Sequence, residues 1–137
     1  MKKTKILALI LVVCTLLTIP SFAADTRASE QIHMHLVYAV AEPGQIYVEA
    51  SIYGNGIMDK IGCQNLQILK MTDSGWELYV SLFEDDEGMS SEDTYGHIYA
   101  ETFESEVGVE YYVLATVFAE NENGRDTRTY EYYVTGI

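Results

Sequence analysis

The stretch that decides the fold spans residues 109–134 and reads VEYYVLATVFAENENGRDTRTYEYYV. Its first half alternates between two sets of side chains. One face carries Tyr111, Val113, Ala115, Val117 and Ala119, and the other carries Tyr112, Leu114, Thr116 and Phe118. Period-two alternation among β-branched and aromatic residues predicts a β-strand. Asn123 and Gly124 then predict a tight hairpin turn, because such turns need positive φ, and a second strand follows over 127–135.

Five further strand-like segments precede this hairpin, at residues 32–41, 45–53, 64–71, 76–83 and 95–104. Glu42-Pro43-Gly44 and residues 72–75 carry the residue types that turns need. The second segment directs Ile46, Val48 and Ile52 to one face and ends at Gly54-Asn55-Gly56. Residues 57–63 are therefore predicted to connect two sheets.

Seven short strands in one small domain predict an all-β, antiparallel β-sandwich. Residues 108–117, with Ala119, Asn121 and Gly124, resemble the penultimate strand and following turn of fibronectin type III and related immunoglobulin-like domains. The resemblance implies that Tyr111 is a corner tyrosine, with a buried ring and a hydroxyl that contacts upstream backbone. It also implies strands one, two and five in one sheet, and strands three, four, six and seven in the other. It implies no activity.

The N-terminal 23 residues are predicted to be a secretory signal peptide. Lys2, Lys3 and Lys5 precede an apolar segment of 14 residues (6–19), and small residues lead to a cleavage site between Ala23 and Ala24. A membrane anchor is the alternative, although roughly 20 apolar residues are needed to span a bilayer. Residues 24–31 are predicted to be a flexible leader and 32–137 the folded domain. The chain also resembles small exported bacterial proteins.

Removing residues 1–23 leaves 114 of the 137 residues, with five Lys and Arg against 21 Asp and Glu. The resulting formal charge of −16 argues against nucleic acid or an anionic membrane surface as a partner. A single cysteine, Cys63, remains, so no intramolecular disulfide is possible. We expect this thiol to be buried and inert.

Metal chemistry and catalysis have weak support in the sequence. His33 and His35 share one strand face, a spacing that can chelate Zn²⁺, but His97, the remaining histidine, lies far along the chain. The acidic segment 84–93 offers oxygen ligands for Ca²⁺ without the spacing of a known loop. No hydrolase, zinc-protease or phosphate-binding motif is present, so we predict no catalytic residues, no cofactor and no enzyme activity.

Eleven tyrosines are unusual for a chain of this length, and tyrosine is enriched where surfaces recognise other molecules. The parity argument places several apolar side chains on one outward face of the second sheet. They are Leu69, Met71, Tyr79, Phe83, Tyr112, Leu114, Phe118 and Tyr133. The sequence therefore predicts a secreted, non-catalytic module that binds a protein or carbohydrate, or a second copy of itself, through this face. The alternative is a Ca²⁺- or Zn²⁺-linked structural or sensor protein.

Overall fold

Six antiparallel strands form one strongly curled sheet with the shape of a half-barrel. The computed structural model describes residues 30–137. The strands are β1 (Ile32–Glu42), β2 (Gln45–Thr72), β3 (Gly75–Phe83), β4 (Ser90–Glu104), β5 (Glu110–Asn121) and β6 (Gly124–Thr135). The described residues contain no helix that could cross a membrane.

The predicted signal peptide, its cleavage site and residues 24–29 of the predicted leader lie outside the described residues. The end of that leader belongs to the fold, since Gln31 is buried and its backbone N–H donates to Asp126 Oδ2 at 2.9 Å. The amide of Asn55 donates in turn to the Glu30 carbonyl at 2.8 Å. Glu30 and Gln31 therefore belong to the fold.

The predicted break at Gly54-Asn55-Gly56 is wrong, because these residues lie within β2, a single strand of 28 residues. The register of β2 against β4 shifts between Tyr53 and Met58, so the glycines mark an irregularity within a strand. A Cβ at Gly54 would lie 2.6 Å from the Met58 side chain, which explains why a glycine stands there. Residues 57–63, predicted as a connection, are therefore strand.

Strand β2 organises the sheet. Its first half, residues 45–54, lies between β1 and β4, and its last part, residues 65–72, lies between β3 and β5. At residues 60–62 it pairs with both β4 and β5. The strands grouped together by the resemblance do lie in the same half of the sheet. The seven-stranded immunoglobulin-like sandwich and the fibronectin type III assignment are wrong, because the second and third predicted strands are one strand and the two sheets are one curled sheet.

Gly62 stands where β2 passes from one half of the sheet to the other. It pairs with Ser90 at the start of β4 and with Phe118 of β5. Its φ is +155°, and a Cβ there would lie 2.3 Å from the Met89 carbonyl oxygen. The next residue, Cys63, donates its backbone N–H to that carbonyl at 2.7 Å. Only glycine allows β2 and the start of β4 to approach so closely.

The core lies on the concave side of the curled sheet and draws on both halves. The inward positions predicted on β5 are confirmed, and so are those predicted on β2. All of these predicted residues are fully buried: Tyr111, Val113, Ala115 and Val117 of β5, with Ile46, Val48 and Ile52 of β2. Cys63 is also buried, as predicted, and this burial raises the pKa of its thiol to about 12. The thiol is therefore protonated and unreactive at neutral pH.

The β5–β6 hairpin is confirmed, but its turn comes one residue earlier than predicted. Asn121 pairs with Gly124, so the loop residues are Glu122 and Asn123, and only Gly124 has positive φ. The predicted contact of the Tyr111 hydroxyl is also present, since it accepts the Glu106 backbone N–H at 3.0 Å. This contact fixes the chain before β5 although the fold is not a fibronectin type III domain.

Candidate binding face

The convex side of β3, β2, β5 and β6 carries a continuous set of apolar side chains, which we name the aromatic face. Its members lie in adjacent register positions: Met71 pairs with Trp76, Leu69 pairs with Leu78 and Tyr112, and Tyr112 pairs with Tyr133. Leu114 lies in the next outward position along β5. Trp76 is 39% exposed, Leu78 62% and Tyr133 75%, so this surface is open to solvent.

Three rings form the centre of the aromatic face. The Trp76 ring lies 6.2 Å from the rings of both Tyr112 and Tyr133, and these two tyrosine rings lie 5.0 Å apart. The rings are tilted by 43–60° against one another, within the range of favourable aromatic pairs. Burial and the nearby Glu131 carboxylate raise the pKa of Tyr112, so its hydroxyl stays protonated. The face presents rigid apolar area with neutral polar tips.

Five of the eight residues predicted for the binding face lie together on the aromatic face: Leu69, Met71, Tyr112, Leu114 and Tyr133. Phe83 is outward and 53% exposed, but it pairs with Asn65 near the opposite end of β3. It is therefore separated from the Trp76 end by the row that contains Ser81 and Gln67.

Tyr79 does not lie on the aromatic face, because a β-bulge changes the parity of β3. Leu69 pairs with Leu78 while Ile68 pairs with Val80, which leaves Tyr79 without a register partner. Its ring lies 6.0 Å from Tyr111, and its hydroxyl donates to the Glu104 carbonyl at 3.0 Å. Tyr79 therefore lines a cavity of about 230 Å³ between the edges of β3 and β4.

Phe118 has the predicted outward parity but is fully buried. The Arg125 guanidinium lies 4.2 Å from its ring centroid. Arg125 is held in that position by Glu120 and by Glu84, whose Oε2 lies 3.0 Å from Nη2. An ion-paired arginine from β6 therefore covers this end of the sheet and removes Phe118 from the candidate surface.

Trp76 and Leu78 are the members that the sequence argument missed. Both precede the bulge, so their parity is opposite to that inferred from Phe83. The alternation Trp76, Leu78 with Glu77 between them is visible in the sequence. What the sequence does not show is the extra residue at Tyr79, because the bulge depends on the pairing with β2.

The histidines and the acidic segment have other local roles. His33 is exposed, while the His35 ring contacts Tyr130 at 5.6 Å. His97 is buried between the Ser91 hydroxyl and the Gly88 carbonyl, each 2.9 Å from a ring nitrogen, and burial lowers its pKa.

The predicted loop 84–93 is shorter than expected, because Ser90 already begins β4. Its Asp85 carboxylate accepts Lys60 Nζ at 2.6 Å. Within residues 30–137 no group of three His, Cys, Asp or Glu side chains is placed to hold a metal ion. The Ca²⁺ or Zn²⁺ alternative stays a prediction.

Comparison with solved structures shows a structural likeness, whereas the comparisons with families and curated proteins show none. No protein-family model matches the chain, and no curated protein matches it. The fold is similar to the crystal structure of Spo0M, a sporulation control protein from Bacillus subtilis, with a TM-score of 0.45 and 13% sequence identity. The match covers 80% of this chain and 50% of that one, so this chain spans about half the length of that protein.

Proposed function

We propose that this protein is an exported, non-catalytic binding module that holds a partner protein on its aromatic face. The observation that carries this proposal is the exposure of Trp76, Leu78 and Tyr133 in adjacent positions of one sheet surface. Contiguous exposed apolar surface on a small domain is typical of an interaction site. Among residues 30–137, no segment folds over these three side chains.

The composition of the aromatic face favours a protein partner. Trp and Tyr are the side chains that most often dominate the binding energy of protein interfaces, and Met is enriched there as well. The neighbouring Leu69, Leu78 and Leu114 add aliphatic area around the rings. A carbohydrate would be favoured by flat, coplanar rings, whereas the rings of Trp76, Tyr112 and Tyr133 are tilted by at least 43°.

Charge and the N-terminal sequence complete the proposal. The formal net charge of −13 disfavours nucleic acid as the partner, since phosphates would be repelled. The N-terminal pattern of basic and apolar residues supports export to the cell exterior. The absence of hydrolase and nucleotide-binding motifs in the sequence supports a role in binding and not in catalysis.

The test compares two double variants of the full chain. Leu78→Ser with Tyr133→Ser removes the two most exposed members of the aromatic face. The matched control, Met34→Ser with Leu36→Ser, removes side chains of similar exposure, 55% each, from the convex side of β1. Each protein is immobilised and exposed to the medium of the producing cells, to a glycan panel and to soluble copies of itself.

We expect one defined protein to be retained by the wild type and the control, and lost by the aromatic-face variant. Removing a dominant contact typically costs at least about 2 kcal/mol, or roughly 30-fold in affinity. Equal retention by both variants, or binding to glycans with no protein retained, would refute the proposal. Binding only to soluble copies would identify the face as a dimer interface instead.

A further inference from the structure

Strand β4 leaves one long edge of the sheet open. Residues Gly96–Glu104 pair with Tyr53–Gln45 of β2 in an unbroken register, and within residues 30–137 no strand pairs with their other side. Among the described residues, other groups form hydrogen bonds with the backbone of this edge at its C-terminal end. There the Tyr79 hydroxyl donates to the Glu104 carbonyl, and the Ser105 N–H donates to the Gly44 carbonyl. The backbone groups that point away from β2 between residues 97 and 103 therefore face solvent.

The other edges of the sheet are protected. Strands β1 and β6 approach each other, and the Tyr132 hydroxyl of β6 donates to the Val37 carbonyl of β1. Strand β3 is only nine residues long and is interrupted by the bulge at Tyr79. Short strands, bulges and covered edges are the ordinary means of preventing unwanted strand pairing. The β4 edge has none of these over residues 97–103.

Carboxylates line this open edge. Glu101 and Glu104 are exposed, and neither has an ion-pair partner within residues 30–137. The nearby cation Lys70 is bound to Glu106 instead. A second copy of the chain would bring the same carboxylates to the edge, so charge disfavours self-pairing. A cationic strand would be attracted, since unlike charges on neighbouring strands stabilise a sheet.

We propose that the β4 edge accepts an extended, basic segment of a partner protein as an additional antiparallel or parallel strand. Main-chain hydrogen bonds to residues 97–103 would supply affinity, as in other cases of strand addition. Glu101 and Glu104 are three positions apart and therefore lie on opposite faces of β4, so each would select a lysine or arginine on its own face of the added strand. Ile98, which is 59% exposed, would contact an apolar side chain of the added strand. This surface is separate from the aromatic face.

The direct test is a titration of the ¹⁵N-labelled full chain with the synthetic peptide Lys-Thr-Thr-Lys-Thr-Thr-Val. In an antiparallel added strand its two lysines would lie opposite Glu104 and Glu101, and its valine opposite Ile98. We expect amide shifts and slower hydrogen exchange for residues 97–103, with affinity that falls as salt is added. Two control peptides sharpen the result. One carries glutamate in place of both lysines, and the other is the lysine peptide with N-methylated backbone along one edge. Neither should protect the β4 amides.

Charge reversal separates this edge from general attraction to an acidic protein. Glu101→Lys with Glu104→Lys should weaken binding of the lysine peptide by about tenfold or more. Glu104→Lys alone should weaken it less. The control Glu110→Lys with Glu122→Lys changes charge equally at exposed positions on β5 and its turn and should leave binding unchanged. Glu101→Lys removes the hydrogen bond from the Tyr99 hydroxyl to Glu101. If this loss prevents folding of the double variant, the single variant Glu104→Lys provides the test.

Three outcomes would overturn the proposal. Protection confined to residues outside 97–103 would show that the peptide binds elsewhere. Equal loss of binding in the control variant would show attraction by net charge alone. Sedimentation that detects a dimer of the free protein, abolished by Glu104→Lys, would show that a second copy occupies the edge.

Discussion

The two convex surfaces of the sheet, one on each half of β2, hold their tyrosines differently. On the first half, Glu49 lies at the centre and its carboxylate accepts hydrogen bonds from Tyr38 at 2.8 Å, Tyr47 at 2.7 Å and Ser51 at 3.1 Å. On the second half, Tyr112 and Tyr133 contact each other and Trp76 through their rings, and Tyr133 is largely exposed.

The contrast teaches that a high tyrosine content does not by itself identify a binding surface. Tyrosines that donate their hydroxyls to the carboxylate of Glu49 stabilise the sheet. These hydrogen bonds hold the pKa of Glu49 below its ordinary value. Tyrosines with exposed rings beside other exposed apolar groups are available to a partner. The following predictions test whether the two halves share one core and differ in their outer surfaces.

The largest effect is expected at Gly62, where the two halves join. Gly62→Val would place a side chain against the Met89 carbonyl and force an unfavourable φ, so we expect a loss of about 3 kcal/mol or more in the free energy of unfolding. Gly56→Val is the matched control, because its Cβ would meet nothing within 4 Å. Chemical denaturation measures both. A loss at Gly62 no greater than at Gly56 would show that β2 does not pass so close to β4.

A smaller loss is expected from the shared core. Val113→Ala should lower the free energy of unfolding by about 1–3 kcal/mol, through lost apolar burial and a residual cavity. Val40→Ala, at a position 42% exposed on β1, is the control and should cost much less. A single cooperative transition should persist in both variants, since both halves contribute to one core. Two separate transitions in the wild type would contradict this description.

The Glu49 network predicts a pH effect confined to the first half. Hydrogen bonds from Tyr47 and Tyr38 lower the folded-state pKa of Glu49. The stability that Glu49 contributes to the fold is therefore fully present above its ordinary pKa of 4.5 and is lost as the pH falls through the folded-state pKa. Glu49→Gln should therefore lower the melting temperature at neutral pH and reduce its further decline below about pH 4.5. An unchanged acid profile would show that the hydrogen bonds do not persist in solution.

The smallest change in stability is expected on the aromatic face. Leu78→Ser with Tyr133→Ser removes side chains that are 62% and 75% exposed, so we expect a change in the free energy of unfolding of about 1 kcal/mol or less. Calorimetry of the free protein checks this. A large loss would show that these side chains belong to a core and not to an interaction surface.

Local alternation predicted most of the strands and the inward set of β5, because one buried face requires a strict period of two. It failed where distant pairing overrides local signals. Gly54-Asn55-Gly56 has turn chemistry, yet β1 and β4 on either side keep β2 extended. The family resemblance failed for the same reason, since one continuous strand replaces two.

The candidate site shows the same limit at single residues. Leu69, Met71, Tyr112, Leu114 and Tyr133 follow from parity alone. Tyr79 departs from it because of a bulge that depends on the register with β2. Phe118 keeps the outward parity, but Arg125 of another strand covers it. Neither the bulge nor the Arg125–Glu84 ion pair leaves a pattern in the local sequence, so both require the folded structure.

The lone tryptophan gives the most direct test of the aromatic face, because Trp76 lies within it, 6.2 Å from Tyr112 and Tyr133. The measurement is quenching of Trp76 fluorescence by acrylamide, in the free protein and after addition of the partner protein recovered with the wild type. We predict efficient quenching in the free protein and strong protection, with a shift of emission to shorter wavelength, in the complex. Quenching and emission that stay unchanged in a saturated complex would contradict the assignment of this face as the binding surface.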